Sequence, residues 1–225
     1  MHQHTMKQIL LRQNLYMSRC TPKKIYFEFG VANNNNLVKY IKTVQEFCKE
    51  NSGHSLSDFH VYGFDSFSGL PKSNHAADKH VSFVKGEYLC KREILEANIK
   101  KTGFPLENVH LIERYFEDTL TQELLQKLLK EEMFPSIVIM DCDYYTSTQV
   151  ATDWLYPLMQ SGSIFWFDDI WSFNGHPEMG QVKYINEFNK SDKGWFFDFD
   201  IWGDGIQLKM FCKQEWEWNE LEWKK

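Results

Sequence analysis

The stretch SIVIMDCDYYTSTQVATDWLYPLM, residues 136–159, combines an apolar strand, two carboxylates and a helix. SIVIM has the composition of a strand buried on both faces, and residues 146–162 have the composition of the helix that follows it. The same order recurs at residues 163–169, where SIFWFDD ends on Asp168 and Asp169. Adjacent carboxylates repel each other and lose hydration when buried. Asp141 with Asp143, and Asp168 with Asp169, therefore each need a compensating group.

Strands and helices alternate along most of the chain. The predicted strands are residues 24–30, 59–65, 109–116, 136–143 and 163–169, and the predicted helices are residues 5–17, 37–50, 92–103, 118–132, 146–162 and 177–191. This alternation predicts an α/β fold with a doubly wound, mostly parallel sheet. Asp118 or Thr119 is the expected cap of the fourth helix. Two β-rich runs flank Gly203-Asp204-Gly205, which predicts an antiparallel hairpin at one end of the sheet.

Composition limits the class of protein. With 225 residues the chain fits one domain, with a helical extension at residues 1–22 and a Trp-rich tail at residues 213–225. The net charge of -6 and the lack of a Lys/Arg block argue against nucleic acid as a partner. Five scattered cysteines indicate neither a disulfide framework nor a zinc site. Without a signal peptide or an apolar run of about 20 residues, we expect a cytoplasmic protein with no membrane partner.

The predicted strand ends bring six carboxylates to one edge of the sheet, namely Glu28, Asp65, Asp141, Asp143, Asp168 and Asp169. Ligands of such folds bind outside this edge. A single Asp after a strand is more often a helix cap, but six together call for a cation, a cationic ligand or a set of sugar hydroxyls. Mg²⁺ suits oxygen ligands, and no His or Cys occupies the matching strand-end positions.

The first two strands predict a nucleoside site. Asp65 follows Glu28 at the distance where such folds place a carboxylate on ribose hydroxyls. After Gly30 the chain continues with Val31, Ala32 and the four residues Asn33–Asn36, which is not a phosphate-binding Gly-rich loop. A dinucleotide is therefore disfavoured, and S-adenosylmethionine, which lacks a pyrophosphate, is favoured.

Several motifs together resemble the macrocin O-methyltransferase family, whose members methylate sugar hydroxyls with S-adenosylmethionine. They are YFEFGV (26–31), GFDSFSGLP (63–71), ERYFEDTL (113–120), MDCDYYTSTQVATDWLYPLM (140–159), FDDI (167–170) and GHPEMGQVKYINEF (175–188). The resemblance implies a class I methyltransferase fold, a seven-stranded sheet whose last hairpin inserts an antiparallel strand. It departs from the family at Asn33–Asn36, where a Gly and a Ser are usual, and at Cys142, where Gly is usual.

The resemblance also implies roles for individual residues. Asp141, Asp168 and Asp169 would hold Mg²⁺, and Asp141 would also be the catalytic base. Cofactor contacts would come from Glu28, Gly30, Asp65 and Ser66. The reaction would be an in-line displacement that moves the methyl group from the sulfonium to a sugar hydroxyl.

Other residues and functions compete with this assignment. His176 is a second candidate base, because its ordinary pKa lies near neutrality. Tyr144 and Tyr145 either line the acceptor pocket or pack on the following helix. A DxD glycosyltransferase, a DxD phosphatase and a catalytically inert methyltransferase-like binding subunit are the alternative functions, although Tyr145 stands where the phosphatase requires Thr.

The methyl acceptor is not identified by the sequence. We expect a small molecule that contains a sugar: a free sugar, a sugar nucleotide or a glycosylated product. Residues 71–88, PKSNHAADKHVSFVKGEY, are predicted to form a lid over the site. We also expect a homo-oligomer.

Overall fold

A computed structural model describes residues 23–31, 36–202 and 205–212, and it gives side chains up to Asp198. The strands are β1 (Lys24–Phe29), β2 (Phe59–Asp65), β3 (Val109–Glu113), β4 (Pro135–Met140), β5 (Ser163–Phe167), β6 (Trp195–Trp202) and β7 (Gly205–Cys212). The α-helices are α1 (Asn36–Glu50), α2 (Arg92–Thr102), α3 (Phe116–Thr119), α4 (Gln122–Lys130), α5 (Tyr145–Leu155) and α6 (Gly180–Lys190). The N-terminal helix predicted over residues 5–17 and the Trp-rich tail lie outside the described residues.

The strands form one sheet in the order β3-β2-β1-β4-β5-β7-β6. Strands β1 to β5 pair in parallel, whereas β7 runs antiparallel to both β5 and β6. Each parallel crossover is long enough to carry a helix, as such connections require. The α/β class and the parallel sheet predicted from the alternating pattern are confirmed.

Helices cover both faces of the sheet because its central strands are apolar on both sides. Every residue of β1 and of β4 is buried. One core cluster contains Phe27, Phe29 and Leu125. A second cluster, formed by other residues of the same strands, contains Tyr26 of β1 together with Val44 and further side chains of α1. Continuous burial of this kind is typical of a parallel sheet.

The segment after β3 differs from its prediction. The strand ends at Glu113 rather than at Phe116, and the helix predicted over residues 118–132 is two helices, α3 and α4. Leu120 separates them with a non-helical backbone (φ -80°, ψ 62°). The cap is therefore neither Asp118 nor Thr119 but Thr121, whose hydroxyl accepts a bond from the Leu124 N–H at 3.2 Å.

None of the helices within the described ranges combines the length and the apolar character that crossing a bilayer requires.

Gly30, directly after β1, lies against the backbone of the neighbouring strand. A Cβ atom at this position would lie 1.7 Å from the carbonyl oxygen of Asp141, and the backbone is left-handed, with φ +85°. Both conditions exclude a side chain. Gly103, which caps α2 with φ +72°, meets only the backbone condition, because a Cβ atom there would have no neighbour within 4 Å.

We expect Gly30→Ala to lower the free energy of unfolding by about 4 kcal/mol or more, because both the backbone and the packing must yield. Gly103→Ala is the matched control and should cost only about 1 kcal/mol, since it introduces strain without a clash. Urea denaturation of both variants measures the difference. Equal losses would show that the contact with Asp141 does not limit this position.

Candidate active site

A cavity that is open to solvent lies at the carboxyl ends of β1, β2 and β4. Its walls come from the strand ends, from the loop after β2, from the start of α3 and from the predicted lid. The lining residues are Gly30, Asp65, Ser66, Gly69, Leu70, Pro71, Tyr88, Tyr115, Phe116, Glu117, Asp141, Cys142, Asp143 and Ser147. The edge chosen from the sequence therefore holds a cavity, and four of the predicted site residues line it: Gly30, Asp65, Ser66 and Asp141.

Glu28 is completely buried within β1, two residues before the cavity wall. Its Oε2 accepts a bond from the Tyr26 hydroxyl at 2.8 Å, whereas its Oε1 has no partner among the described residues. Burial, and then the charge of Asp141, raise the pKa of Glu28 well above its ordinary value. Glu28 is not among the residues that line the cavity, so the structure places its carboxyl behind the wall rather than on it.

Asp65 holds the first two loops together at the cavity wall. Its Oδ2 accepts a bond from the Val31 N–H at 2.7 Å, and its Oδ1 accepts one from the Phe67 N–H at 2.6 Å. Asp65 also lines the cavity, and a carboxylate at the end of the second strand is the group that such folds place on ribose hydroxyls. Ser66 has a more local role, since its hydroxyl donates to the Gly69 carbonyl at 2.8 Å and accepts from the Ser68 N–H at 3.0 Å.

Asp141 follows β4 and is buried at the cavity wall. Its Oδ2 accepts a hydrogen bond from the Asn36 side-chain amide at 3.3 Å. Asn36 begins α1 and is itself completely buried. Asn36, the last residue of the Asn33–Asn36 run, thus contacts the residue predicted to be the base. Residues 32–35 lie outside the described part of the chain.

The two carboxylates after β5 differ in their surroundings. Asp169 is buried, and both of its oxygens are engaged: Oδ2 accepts from the Asp143 N–H at 3.0 Å and Oδ1 from the Ser172 hydroxyl at 3.3 Å. Asp168 is half-buried, and its Oδ1 accepts from the Trp166 indole N–H at 2.7 Å. Asp169 therefore connects the turns after β4 and β5.

Negative charge accumulates among these residues. Burial, followed by the charges of Asp141, Asp168 and Asp65, raises the pKa of Asp143 to about 7. Burial and the charges of Asp143 and Asp168 raise the pKa of Asp169 to about 8. The repulsion expected from the paired carboxylates is thus present, and a cation would relieve it.

Carboxylate oxygens are suitable ligands for a hard cation, but the carboxylates at the strand ends do not form a metal site in their present positions. Within the part of the chain that the structure describes, no three His, Cys, Asp or Glu side chains are grouped so that they could hold a metal ion. Asp141, Asp168 and Asp169 are therefore not grouped as a metal site in this structure.

Six residues singled out in the sequence are not part of the cavity lining: Glu28, Tyr144, Tyr145, Asp168, Asp169 and His176. His176 is exposed, and its Nδ1 accepts a bond from the Glu178 N–H at 3.2 Å, which stabilises a turn. The hydroxyl of Tyr144 donates to the Phe83 carbonyl at 2.9 Å, and that of Tyr145 donates to the Glu187 carboxylate at 2.7 Å. The packing interpretation of the two tyrosines is the one that the structure favours.

The sequence interpretation missed the wall formed by Tyr115, Phe116 and Glu117. The sequence pattern places Tyr115 and Phe116 in a strand and Glu117 before a helix, although ERYFEDTL is one of the family motifs. Cys142 also lines the cavity, but burial raises the pKa of its thiol well above the ordinary value. It is therefore a poor nucleophile.

The sequence analysis also assigns no role to Gln181, which lies in the first turn of α6. It is completely buried, and its side chain bridges two strand ends. Its Oε1 accepts from the Asp169 N–H, and its Nε2 donates to the Met140 carbonyl, both at 3.0 Å. Gln181 therefore holds the end of β4 at a set distance from the turn after β5.

We expect Gln181→Met, which keeps the size of the side chain, to lower the free energy of unfolding by about 2–3 kcal/mol. The reason is that the buried N–H of Asp169 loses its acceptor. Gln45→Met is the matched control, because it removes one partly exposed bond to the Thr102 carbonyl and should cost about 1 kcal/mol. Urea denaturation tests both variants, and a loss for Gln181→Met no larger than the control would contradict the bridging role.

The chain resembles known proteins in sequence and in fold. Residues 50–193 match the family described as macrocin O-methyltransferase (TylF). The calicheamicin methyltransferase CalS11 superposes with a TM-score of 0.65 at 17% identity, over 92% of this chain and 80% of that one. The O-methyltransferase NovP superposes with a TM-score of 0.65 at 18% identity, over 92% of this chain and 78% of NovP.

A third structure, apo CalS11, is described as a TDP-rhamnose 3′-O-methyltransferase of calicheamicin biosynthesis. It gives a TM-score of 0.56 at 16% identity, over 92% of this chain and 80% of that one. At such identities these likenesses establish the Rossmann-like methyltransferase fold alone. A comparison with curated protein sequences gives no match.

The family match spans well over half of the chain, and the cavity lies where this fold binds its ligands. This protein belongs to the macrocin O-methyltransferase family and is an O-methyltransferase.

Proposed function

We propose that this enzyme transfers a methyl group from S-adenosylmethionine to a hydroxyl of a sugar-containing small molecule, with Asp141 as the base. The observation that carries the proposal is the position of Asp141. It is a buried carboxylate on the cavity wall, directly after β4, and the Asn36 amide holds one of its oxygens.

The residues at the ends of β1 and β2 suit the cofactor. Bound there, S-adenosylmethionine would supply a methyl group on a sulfonium, a strong leaving group. Asp65 lies on the cavity wall at the end of β2 and is placed for ribose hydroxyls. Tyr115 and Phe116 offer apolar surface for a flat ring system on the same wall.

A sugar acceptor is supported by family membership and by the description of one structural neighbour. The family is described by macrocin, and apo CalS11 is described as acting on TDP-rhamnose. Carboxylates are also the side chains that bind vicinal hydroxyls well, because they accept two hydrogen bonds at once. The cavity offers Asp141 and Asp143 for this purpose.

The chain itself must align the acceptor and take one proton. The cavity walls hold donor and acceptor in line for displacement, which supplies much of the rate enhancement. As the new C–O bond forms and the C–S bond breaks, Asp141 accepts the hydroxyl proton on its carboxylate.

Asp141, Asp168 and Asp169 are the residues that would hold Mg²⁺. Bound there, the ion would lower the pKa of the acceptor hydroxyl and offset the repulsion that raises the pKa of Asp143 and Asp169.

We expect the purified protein to move radiolabelled methyl from S-adenosylmethionine to an acceptor in a panel of macrocin, TDP-rhamnose and methyl rhamnoside. Chelation with EDTA should abolish the transfer and added Mg²⁺ should restore it, because the acidic cluster needs a cation. Scintillation counting of the separated product measures both effects. No transfer to any member of the panel would overturn the sugar assignment, and full activity in EDTA would overturn the metal assignment.

We expect Asp141→Asn to lower kcat by about 10²-fold or more, because an amide cannot accept the proton. Asp198→Asn, an exposed position on β6, is the control and should leave kcat unchanged. Binding of S-adenosylhomocysteine, measured by calorimetry, should persist in both variants if the fold is intact. A kcat within threefold of wild type for Asp141→Asn, with Mg²⁺ present, would refute the base assignment.

A further inference from the structure

Tyr88 is a half-exposed residue at the end of the predicted lid, and its side chain lines the same cavity as Asp141 and Asp143. The family motifs do not include it, and the sequence interpretation gave it no role. It is one of two tyrosines on the cavity wall; the other, Tyr115, comes from the segment after β3.

The backbone of Tyr88 is in the left-handed region, with φ 59°. This conformation is unfavourable for a residue with a bulky side chain. Two hydrogen bonds just before it impose the geometry: Leu70 N–H donates to the Glu87 carbonyl and Gly86 N–H donates to the Leu70 carbonyl, both at 3.0 Å. The two segments also touch at Gly69, where a Cβ atom would lie 2.5 Å from the Gly86 carbonyl oxygen.

A strained residue of this kind persists only where the surrounding structure enforces it, and such residues cluster at functional sites. Glycine would satisfy this backbone without strain, as it does at Gly69 and Gly86. The chain instead places an aromatic residue with a hydroxyl here, beside the ring of Phe83 at 6.2 Å.

The hydroxyl of Tyr88 is available for a ligand. It makes no hydrogen bond with the residues that the structure describes. Burial, then the charges of Asp143 and Asp169, raise the pKa of Tyr88, so the phenol stays protonated and able to donate near neutral pH. Tyr88 lines the cavity together with Asp141 and Asp143, the carboxylates to which the proposed function assigns the acceptor.

We propose that Tyr88 is a specificity-determining residue whose ring forms the acceptor-side wall of the cavity and whose hydroxyl donates a hydrogen bond to an oxygen of the sugar acceptor. This inference rests on the proposed function. A donor at this position complements Asp141 and Asp143, which only accept when ionised. A sugar hydroxyl that binds between them would donate to a carboxylate and accept from Tyr88, which fixes its direction before methyl transfer.

The test uses the full chain with S-adenosylmethionine and Mg²⁺, and macrocin, TDP-rhamnose and methyl rhamnoside as acceptors. We expect Tyr88→Phe to raise the acceptor KM about five- to tenfold, the usual effect of one lost hydrogen bond, with kcat within about threefold of wild type. The Kd of S-adenosylhomocysteine, measured by calorimetry, should stay within about twofold. Tyr156→Phe, which removes a hydroxyl far from the cavity, is the matched control and should change neither value.

Tyr88→Gly separates stability from binding. It relieves the strained backbone, so its thermal midpoint should equal or exceed that of wild type, while its acceptor KM should rise further than that of Tyr88→Phe. An unchanged acceptor KM in both variants overturns the role of Tyr88 alone. A parallel rise in the Kd of S-adenosylhomocysteine also overturns it, because Tyr88 would then serve the cofactor. No methyl transfer by the wild-type protein to any acceptor overturns the proposed function and this inference with it.

Discussion

The hydrogen-bond register of the parallel sheet is the constraint on which the site depends. Phe29 of β1 pairs with Phe64 of β2 and with Met140 of β4, and Met140 pairs with Phe167 of β5. The ladder then continues one residue beyond the strands: Gly30 N–H donates to the Phe64 carbonyl, Asp141 N–H to the Phe29 carbonyl and Asp168 N–H to the Met140 carbonyl, at 2.9–3.0 Å. The register therefore places Gly30, Asp65, Asp141 and Asp168 side by side along the carboxyl edge of the sheet.

This alignment brings several carboxylates close together at the strand ends. They fall into two groups. Some carboxylates are used by the protein: Asp65 accepts two backbone N–H bonds, and Asp169 accepts one from the Asp143 backbone and one from the Ser172 hydroxyl. Others, Asp141 above all, face the cavity. The first group shapes the loops, and the second lies on the cavity wall.

Much of this could be predicted from local patterns. The bounds of β1, β2 and α1 agree with the apolar periodicity to within a residue or two, because period-2 and period-3.6 patterns reflect burial directly. The edge of the sheet that holds the cavity also followed from topology, since the carboxyl ends of parallel strands share one side. The break between α3 and α4 is not predicted, because Leu120 suits a helix by composition although its backbone leaves the helical region just before the Thr121 cap.

Local sequence patterns do not determine the exposure and hydrogen-bond partners of individual side chains. His176 was chosen for its ordinary pKa, yet only the path of the loop after β5 decides that it is exposed and bonded to the Glu178 N–H. The sequence analysis assigns no role to Gln181, and only the packing of α6 shows that it bridges β4 and the turn after β5.

The sequence by itself determined the α/β class, the order of the elements, the family and the acidic edge, because burial patterns and motifs are local in the chain. The tertiary structure alone decided which carboxylates the protein uses for its own loops, why position 30 must be Gly, and that Tyr88 faces the cavity beside residues more than 50 positions away. Those properties depend on distances between segments that are remote in sequence, and hydrogen-bond register and close packing set such distances only in the folded chain.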